Sequence, residues 1–437
     1  MSGRDLVLKR LAIGCAAFFL LATGSPAQQY DLLLQGGHVI DPRNQIDDGP
    51  RDVAIAGGKI AAVAEKLDPE QALKVVNAAG LYVIPGLVDI HTHVYTGTGE
   101  RGSYAGDNSV YPDGFTFRTA VTTVVDAGSS GWRNFEDFKD RVIDRSRTRV
   151  LAFLNIVGHG MRGDRYEHNV EDMDPKPAAA MALKHKGLIV GIKSAHYRGP
   201  EWVSIESAIE AGKIAGIPVM VDFGSDHPER PVEVLVTEKL RPGDIYTHMY
   251  SGLRREQTPE GRVNPGLWEG RKRGVLFDVG HGGGSFVWGI AIPAMKEGFA
   301  PDSISTDLHI SSMNAGMKDL LNVMSKFLAM GMPLADVILR ATWNPARQIG
   351  REDLGNLSVG APADVVVLRL QKGDFGFADM RGARLQGRQK LVSELTIHDG
   401  KVVYDLNAIS RPDWDSLPKD YGPTGDRRWD ALNPAPR

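Results

Sequence analysis

The chain of 437 residues is longer than one ordinary hydrophobic core requires, so its length favours a large domain joined to a smaller one. Hydrophobic residues make up 42% and charged residues 24% of the sequence, proportions typical of a soluble globular protein. A formal net charge of -3 argues against nucleic acid and against an anionic membrane as partners.

The first 27 residues have the three parts of a secretion signal. Arg4, Lys9 and Arg10 form a basic start, LAIGCAAFFLLATG is an apolar core too short to span a bilayer comfortably, and SPA offers small residues for cleavage before residue 28. We therefore expect residues 1–27 to be removed and the protein to be exported, either periplasmic or secreted, with no membrane attachment afterwards. Cys15 is the one cysteine of the chain, so the mature protein is expected to contain no disulfide.

Both ends of the mature chain contain short β-type runs that are broken by glycine. Near the start these runs are YDLLLQGGHVIDP and RDVAIAGGKIAAVAE, and near the end they are GAPADVVVLRL and SELTIHDGKVVYDL. They predict hairpins of a small β-sandwich domain that residues 28–84 and 348–405 build together. Residues 406–437 are rich in Pro, Asp and Arg and are predicted to form a surface tail.

Apolar strands alternate with amphipathic helices between residues 85 and 347. The predicted strands are GLVDIHTH, VTTVVDAG, RVLAFLNIV, GLIVGIKS, IPVMVDFG, DIYTHMYSG, GVLFDVGHG and SISTDLHI. Predicted helices include WVSIESAIEAGKIAG and LLNVMSKFLAMGMPLADVILRAT. Eight strands with intervening helices predict an α/β fold of the (β/α)8 TIM-barrel type, although a doubly wound sheet would alternate in the same way.

Several of these strands end in residues that can bind a metal. His91 and His93 are two positions apart, so both imidazoles face one side of the first strand, although two ordinary polar residues could end a strand in this way. Lys193 lies in an apolar strand, where an ammonium must be neutralised, paired or converted by carbon dioxide to a carbamate, unless it reaches solvent. His248 and Asp307 end two later strands. Together these residues indicate a metal site where the strands end.

The order of these residues and their flanking motifs resembles the amidohydrolase superfamily of binuclear metal hydrolases. GLVDIHTH is similar to its first-strand motif, and TWNPARQIG followed by LGNLSVGAPADVVVL is similar to its exit from the barrel. DVGHGGGSF, DSISTDLH and MSKFLAMGMPLADVI resemble the amidohydrolase/deacetylase branch. The resemblance covers nearly the whole mature chain.

The resemblance implies two divalent cations, zinc first and manganese or iron as alternatives, bridged by a carbamylated Lys193. The family has a histidine at the end of the fifth strand, where this chain has Asp222. A carboxylate can replace imidazole on zinc, so Asp222 is the expected ligand, and the second site could be weaker or empty. His227, a few residues further along, is the alternative ligand if a loop folds back. The expected metal ligands are His91, His93, Lys193, Asp222, His248 and Asp307.

The resemblance also implies hydrolysis of an amide or ester bond in a small acylated substrate, such as an N-acyl amino acid. A metal-activated hydroxide would attack, with Asp307 as general base. We expect substrate contacts from His281 in the glycine-rich DVGHGGG, and from His196 and Tyr197 after the lysine strand. The alternative for His281 is a structural role that orients Asp307 or a metal ligand.

Two other functions stay open. The first is a cyclic amide hydrolase, similar to a dihydroorotase or hydantoinase. Dihydroorotases usually carry an arginine two residues beyond the His-x-His pair, where this chain has Tyr95, and this counts against that function. The second is a non-catalytic binding protein on the same fold, which Asp222 could support but Asp307 and Lys193 argue against. Barrels of this size often associate, so a homo-oligomer also stays open.

Overall fold

The computed structural model describes residues 28–224, 227–419 and 421. The predicted secretion signal at residues 1–27 lies outside the described residues, as do residue 420 and residues 422–437 of the predicted tail. In the part of the chain that is described, no helix has the length and apolar character needed to cross a membrane.

Strands dominate both ends of the described chain, and strands and helices alternate in its middle. The strands are β1 (Leu32–Val39), β2 (Pro50–Ala56), β3 (Lys59–Ala64), β4 (Val75–Asn77), β5 (Tyr82–Pro85), β6 (Leu87–Thr92), β7 (Val121–Gly131), β8 (Arg149–Asn155), β9 (Ile189–Ser194), β10 (Val219–Val221), β11 (Ile245–Tyr246), β12 (Leu276–Phe277), β13 (Val365–Ala378), β14 (Arg384–His398) and β15 (Lys401–Asp405). The α-helices are α1 (Phe135–Arg141), α2 (Asp164–Glu167), α3 (Pro175–Lys184), α4 (Val203–Ala215), α5 (Val232–Val234), α6 (Pro265–Lys272), α7 (Trp288–Lys296), α8 (Ile310–Met313), α9 (Leu320–Ala329), α10 (Leu334–Ala341) and α11 (Trp343–Gln348).

Strands from the two chain ends form one sheet. Its order is β15-β14-β13-β5-β1-β2-β3, with β4 paired to β1. The antiparallel pairing of β13 with β5, in which Val366 lies opposite Ile84, joins the C-terminal strands to the N-terminal ones. The chain ends therefore share one sheet, while the sandwich packing and the boundaries at residues 84 and 348 stay predictions.

The middle of the chain forms a seven-stranded parallel sheet in the order β12-β11-β10-β9-β8-β7-β6. Every residue of β6, β7 and β9 is buried, as expected for parallel strands that are covered on both faces. Helices α3 and α4 pack beside β9 and provide part of this cover. The predicted α/β class is confirmed, and seven of the eight predicted strands are present in chain order.

The eighth predicted strand, SISTDLHI, is not a regular strand. It forms isolated parallel bridges, from Ser303 to Asp278 and from Leu308 to Thr92, at the two ends of the parallel sheet. Asp307 has a φ of 51°, in the left-handed region, so the extended backbone is interrupted at this residue. The segment therefore has two isolated bridges in place of the regular hydrogen-bond ladder that the sequence pattern predicts.

The long helix predicted from LLNVMSKFLAMGMPLADVILRAT is two helices, α9 and α10. Gly331 has a φ of 93°, and Pro333 forms the N-terminal cap of α10. Proline lacks the amide hydrogen that a continuous helix requires, and its ring excludes the helical conformation from the residue before it. The chain therefore turns between the two helices.

Asp364, directly before β13, connects the small sheet to the parallel sheet. Its carboxylate accepts a hydrogen bond from Arg149 of β8, and its other oxygen lies 2.9 Å from Nδ1 of His398 in β14. The backbone N–H of Asp399 donates to the same oxygen at 3.0 Å. Burial would raise the pKa of Asp364, but His398 and Arg149 hold it well below its usual range.

Replacing Asp364 with Asn is expected to lower the free energy of unfolding at pH 7 by about 3–5 kcal/mol, because the guanidinium of Arg149 loses a buried partner. The native carboxylate has a depressed pKa, so its contribution is present above about pH 4 and is lost as the pH falls through the native pKa. Denaturant titrations of both proteins from pH 7 to strongly acidic pH should show the difference shrinking. Asp374→Asn, which removes an exposed ion pair with Arg388, is the control and should change stability little. Equal stability of Asp364→Asn and the parent at pH 7 would contradict this role.

Candidate metal centre

The ends of several parallel strands bring the predicted ligands together. His91 Nε2 lies 3.1 Å from Lys193 Nζ and 3.6 Å from Asp307 Oδ1, and His93 Nε2 lies 3.0 Å from the same oxygen. Ligand atoms of His91, His248 and Asp307 all lie within 4.8 Å of one another, and the three residues are buried. Imidazole nitrogens and a carboxylate oxygen at this separation form a group that can hold a metal ion.

Polar side chains on neighbouring strands orient the two histidines of the first strand. His91 Nδ1 lies 3.0 Å from Thr247 Oγ1, and that hydroxyl donates to Asp278 at 2.8 Å. The hydroxyl can therefore only accept from His91, which places the imidazole hydrogen on Nδ1 and leaves the lone pair of Nε2 facing the centre. His93 Nδ1 is held in the same way by Ser129 Oγ at 2.9 Å. Burial, with a contribution from the Lys193 amine, lowers the pKa of His91 to about 3, so this imidazole is neutral, as a metal ligand must be.

Lys193 is completely buried at the end of β9. Its Nζ contacts His91 Nε2 and lies 3.6 Å from the sulfur of Met220. No ion pair with a carboxylate is formed by Lys193 within the described ranges, and burial lowers the pKa of its amine. A neutral amine is the form that can add carbon dioxide, so this environment fits carbamate formation.

Three polar residues at the strand ends have left-handed backbone conformations. The φ angles are 59° at His196, 66° at His248 and 51° at Asp307. Residues other than glycine adopt this conformation at an energetic cost, which persists where the surrounding structure enforces it and which is concentrated at functional sites. The backbone is therefore turned at three points to direct these side chains to the centre.

The glycine-rich segment DVGHGGG allows the backbone to approach this centre closely. A Cβ added at Gly280 would lie 2.3 Å from Thr247 Oγ1, and a Cβ at Gly282 would lie 2.3 Å from Asp307 Oδ2. Both glycines have positive φ angles, 45° and 56°. His248 Nδ1 is also held by the backbone carbonyl oxygen of Gly280. The glycines thus leave room for the side chains of Asp307 and Thr247 and orient His248.

Asp222 follows β10 directly and lies in a row of groups with alternating charge. Arg254 Nη2 donates to Asp222 Oδ1 at 2.6 Å, while Oδ2 lies 3.3 Å from Nε2 of both His196 and His248. The other ring nitrogen of His196 lies 2.6 Å from Glu167 Oε2. Burial opposes both charges, but His248 and Arg254 hold the pKa of Asp222 well below its usual range. Burial lowers the pKa of His196, but Asp222 and Glu167 raise it to about 10.

The centre opens into a polar cavity of ≈ 480 Å³. Tyr104, in the long connection between β6 and β7, covers one side, with its ring centroid 4.3 Å from that of His93. The sequence contained no motif that distinguishes Tyr104, Arg254 or Glu167, because their roles depend on loops that meet only in the folded chain. The cavity is lined by Tyr104, His196, Arg198, Asp222, Gly224, His248, Arg254, Gly283, Gly284, Ser285, Asp307, His309 and Ser311.

Two of the three residues expected to contact substrate do not line this cavity. His281 is fully buried, with its ring stacked on Phe286 at a centroid distance of 4.6 Å and its Nε2 against the amine of Lys326. The hydroxyl of Tyr197 donates to Glu201 at 2.7 Å. Burial and local partners direct the side chains of His281 and Tyr197 away from the cavity, so the structure does not support their expected substrate contacts. His196 does line the cavity.

Comparison with known proteins places this geometry in a family. The amidohydrolase family model matches residues 290–403. The chain is 35% identical over 340 residues to a deacetylase of Agrobacterium fabrum, covering 76% of this chain and 81% of that protein. It is also similar to a solved structure of an adenine deaminase (TM-score 0.78, 27% identity, 86% of this chain and 100% of that one). A solved dihydroorotase has a TM-score of 0.73 and 29% identity over 86% of this chain and 99% of its own.

The chain belongs to the amidohydrolase superfamily, whose members are typically metal-dependent. It is a hydrolytic enzyme that acts on carbon–nitrogen bonds in small molecules.

Replacing Thr247 with Val is expected to weaken metal binding about 10-fold, because His91 loses the acceptor that sets its tautomer and ring orientation. The measurement is a competition titration with a metal chelator. Thr122→Val is the matched control, since Thr122 is also a buried strand threonine and its hydroxyl contacts only a backbone oxygen at 3.5 Å. Equal metal affinity of the two variants would show that the Thr247 hydroxyl does not orient His91.

Proposed function

We propose that this enzyme hydrolyses the amide bond of a small acylated substrate such as an N-acyl amino acid, with ester hydrolysis as a related activity. The observation that carries the proposal is the convergence of His91, His93 and Asp307 beside the buried Lys193, at the floor of an open cavity. The 35% identity to a deacetylase over most of both chains supports an acylated substrate.

The donor set suits zinc, with manganese or iron as alternatives, and we propose that His91, His93 and Asp307 hold this cation with a carbamylated Lys193. The fit rests on two imidazoles whose Nε2 atoms face one carboxylate oxygen, and on a buried amine beside them whose pKa is lowered by burial. When bound, the cation would lower the pKa of a water and polarise the scissile carbonyl. A second cation would depend on Asp222, both of whose oxygens already contact Arg254 or histidines.

Asp307 is the proposed general base and acid. It lies where the buried centre meets the cavity, with Oδ1 toward His93 and Oδ2 3.9 Å from His309 Nε2. Burial would raise the pKa of Asp307, but the neighbouring imidazoles, His91 foremost, hold it well below the usual range, so this side chain is an ionised carboxylate at neutral pH. It would take the proton of the attacking water and deliver it to the leaving nitrogen.

The cavity also favours an anionic substrate. The guanidinium of Arg198 stands at its rim, 61% exposed, and among the described residues its ion pair is a 3.3 Å contact with Asp164. A rim arginine can bind a carboxylate through two hydrogen bonds, which suits the free carboxylate of an N-acyl amino acid.

A cyclic amide hydrolase is the second candidate function, because a solved dihydroorotase is among the similar structures. Tyr95, at the position where dihydroorotases usually have an arginine, is buried and donates to Asp137 at 2.6 Å. It lies outside the cavity lining and offers no positive charge to a cyclic substrate. This arrangement favours an open-chain substrate.

We also propose that the parallel sheet closes into a barrel and that the protein is exported. The bridges of Ser303 to Asp278 and of Leu308 to Thr92 support closure of the parallel sheet into a (β/α)8 barrel, with residues 303–308 as the eighth member. The basic, apolar and small-residue order of residues 1–27 supports export to the periplasm or beyond the cell.

Replacing Asp307 with Asn is expected to lower kcat by about 10²–10⁴-fold, because the amide cannot accept the proton of the attacking water. Metal content of the purified variant, measured in parallel, should remain close to that of the parent, since the amide oxygen can still reach the cation. The control is Asp113→Asn. The carboxylate of Asp113 accepts a hydrogen bond from the backbone N–H of Thr148 in a distant loop, so this variant should keep the parent kcat. Full turnover by Asp307→Asn would remove Asp307 from proton transfer.

A substrate panel separates the two candidate functions. We expect the zinc-loaded enzyme to release acetate from N-acetyl amino acids and to leave dihydroorotate and hydantoins intact, because Tyr95 offers no positive charge where dihydroorotases usually have an arginine. Arg198→Met should raise KM for acylated amino acids and leave KM for the corresponding amino-acid amides unchanged. Turnover of cyclic amides in preference to acylated amino acids would favour the second candidate.

A further inference from the structure

We propose that this chain holds one tightly bound divalent cation rather than two, and that the guanidinium of Arg254 takes the electrostatic place of the second. The inference rests on the proposed function, since it concerns the same metal centre. It departs from the two-cation arrangement that the resemblance implies, and the residues around Asp222 are the reason.

The carboxylate at the end of the fifth strand is already paired with a buried guanidinium through one of its oxygens. Asp222 Oδ1 accepts from Arg254 Nη2 at 2.6 Å, and Oδ2 lies 3.3 Å from the ring nitrogens of His196 and His248. His196 is itself held between Asp222 and Glu167. The fixed guanidinium of Arg254 thus lies against the one carboxylate that a second cation would need.

The side chain of Arg254 is buried and is held in place by hydrogen bonds. It is 4% exposed, its Nε donates to the carbonyl oxygen of Gly224 at 3.0 Å, and its backbone N–H donates to Glu256 at 3.1 Å. A divalent cation bound to Asp222 would lie beside this buried guanidinium, and the two positive charges would repel each other. Arginine cannot relieve that repulsion by losing its proton.

His248 lies close enough to the first group of ligands to serve the single cation. Its ligand atom lies within 4.8 Å of those of both His91 and Asp307. With His93, whose Nε2 faces Asp307 at 3.0 Å, these residues supply four protein ligands. Lys193, carbamylated as proposed above, would then serve this single cation and would not bridge two.

The test measures metal stoichiometry and is independent of activity. The chain without residues 1–27 is stripped of metal, reloaded with Mn²⁺ or Zn²⁺ in bicarbonate buffer, and freed of loose ions by gel filtration. We expect a single equivalent by elemental analysis, and an electron paramagnetic resonance spectrum of isolated Mn²⁺ without exchange coupling. Arg254→Met should admit a second equivalent and give the spectrum of a coupled pair. Arg262→Met, at a 73% exposed arginine outside the cavity, is the matched control and should keep one equivalent.

Each outcome decides the proposal. Two tightly held equivalents with a coupled spectrum in the parent chain would overturn it, and so would a folded Arg254→Met chain that still binds one. If Arg254→Met does not fold, the double variant Asp222→His with Arg254→Met, which places an imidazole at the fifth strand, should bind two, and a folded double variant that binds one overturns the proposal. A parent chain that binds no divalent cation would contradict the proposed function itself, which is a different result.

Discussion

The structure around the active centre depends on one constraint, the burial of ionisable groups where parallel strands end. Lys193 shows this constraint most clearly, because its amine is completely buried against His91 and forms no ion pair with the carboxylates of the described chain. Such a group must stay neutral, be modified or share its charge. The neighbouring histidines meet the same requirement, since each has one ring nitrogen held by a hydroxyl or carbonyl oxygen and the other turned inward.

The two sides of the centre meet this constraint in different ways. On one side, imidazole nitrogens and the carboxylate of Asp307 face a common point, an arrangement that can accept a cation. On the other side, oppositely charged and polar protein groups already contact one another, in the row Glu167, His196, Asp222 and Arg254. The carboxylate of Asp222, which stands where the family has a histidine, is matched by the buried guanidinium of Arg254. The superfamily fold thus accommodates a different charge arrangement at one strand end.

Much of the fold could be predicted from the sequence, because apolar strand runs and amphipathic helices are local signals. The parallel strands β6 to β12 lie where their patterns predict, and so does α4. The hydrophobic pattern was insufficient where single residues turn the backbone. Asp307 turns the eighth segment out of a regular ladder, and Gly331 with Pro333 divides a helix that looked continuous. Local hydrophobic pattern predicts an element, but it does not report a left-handed residue within it.

The sequence by itself determined which chemistry is available, since His91, His93, Lys193, His248 and Asp307 stand at strand ends and parallel strands bring their ends to one edge. Only the tertiary structure decided which other groups join them. Arg254, Glu167 and Tyr104 come from connecting segments, and His281 turns away into a buried contact with Phe286 and Lys326. The physical reason is that strand periodicity sets the direction of a side chain within an element, whereas the position of a loop side chain depends on packing between segments that are distant in the chain.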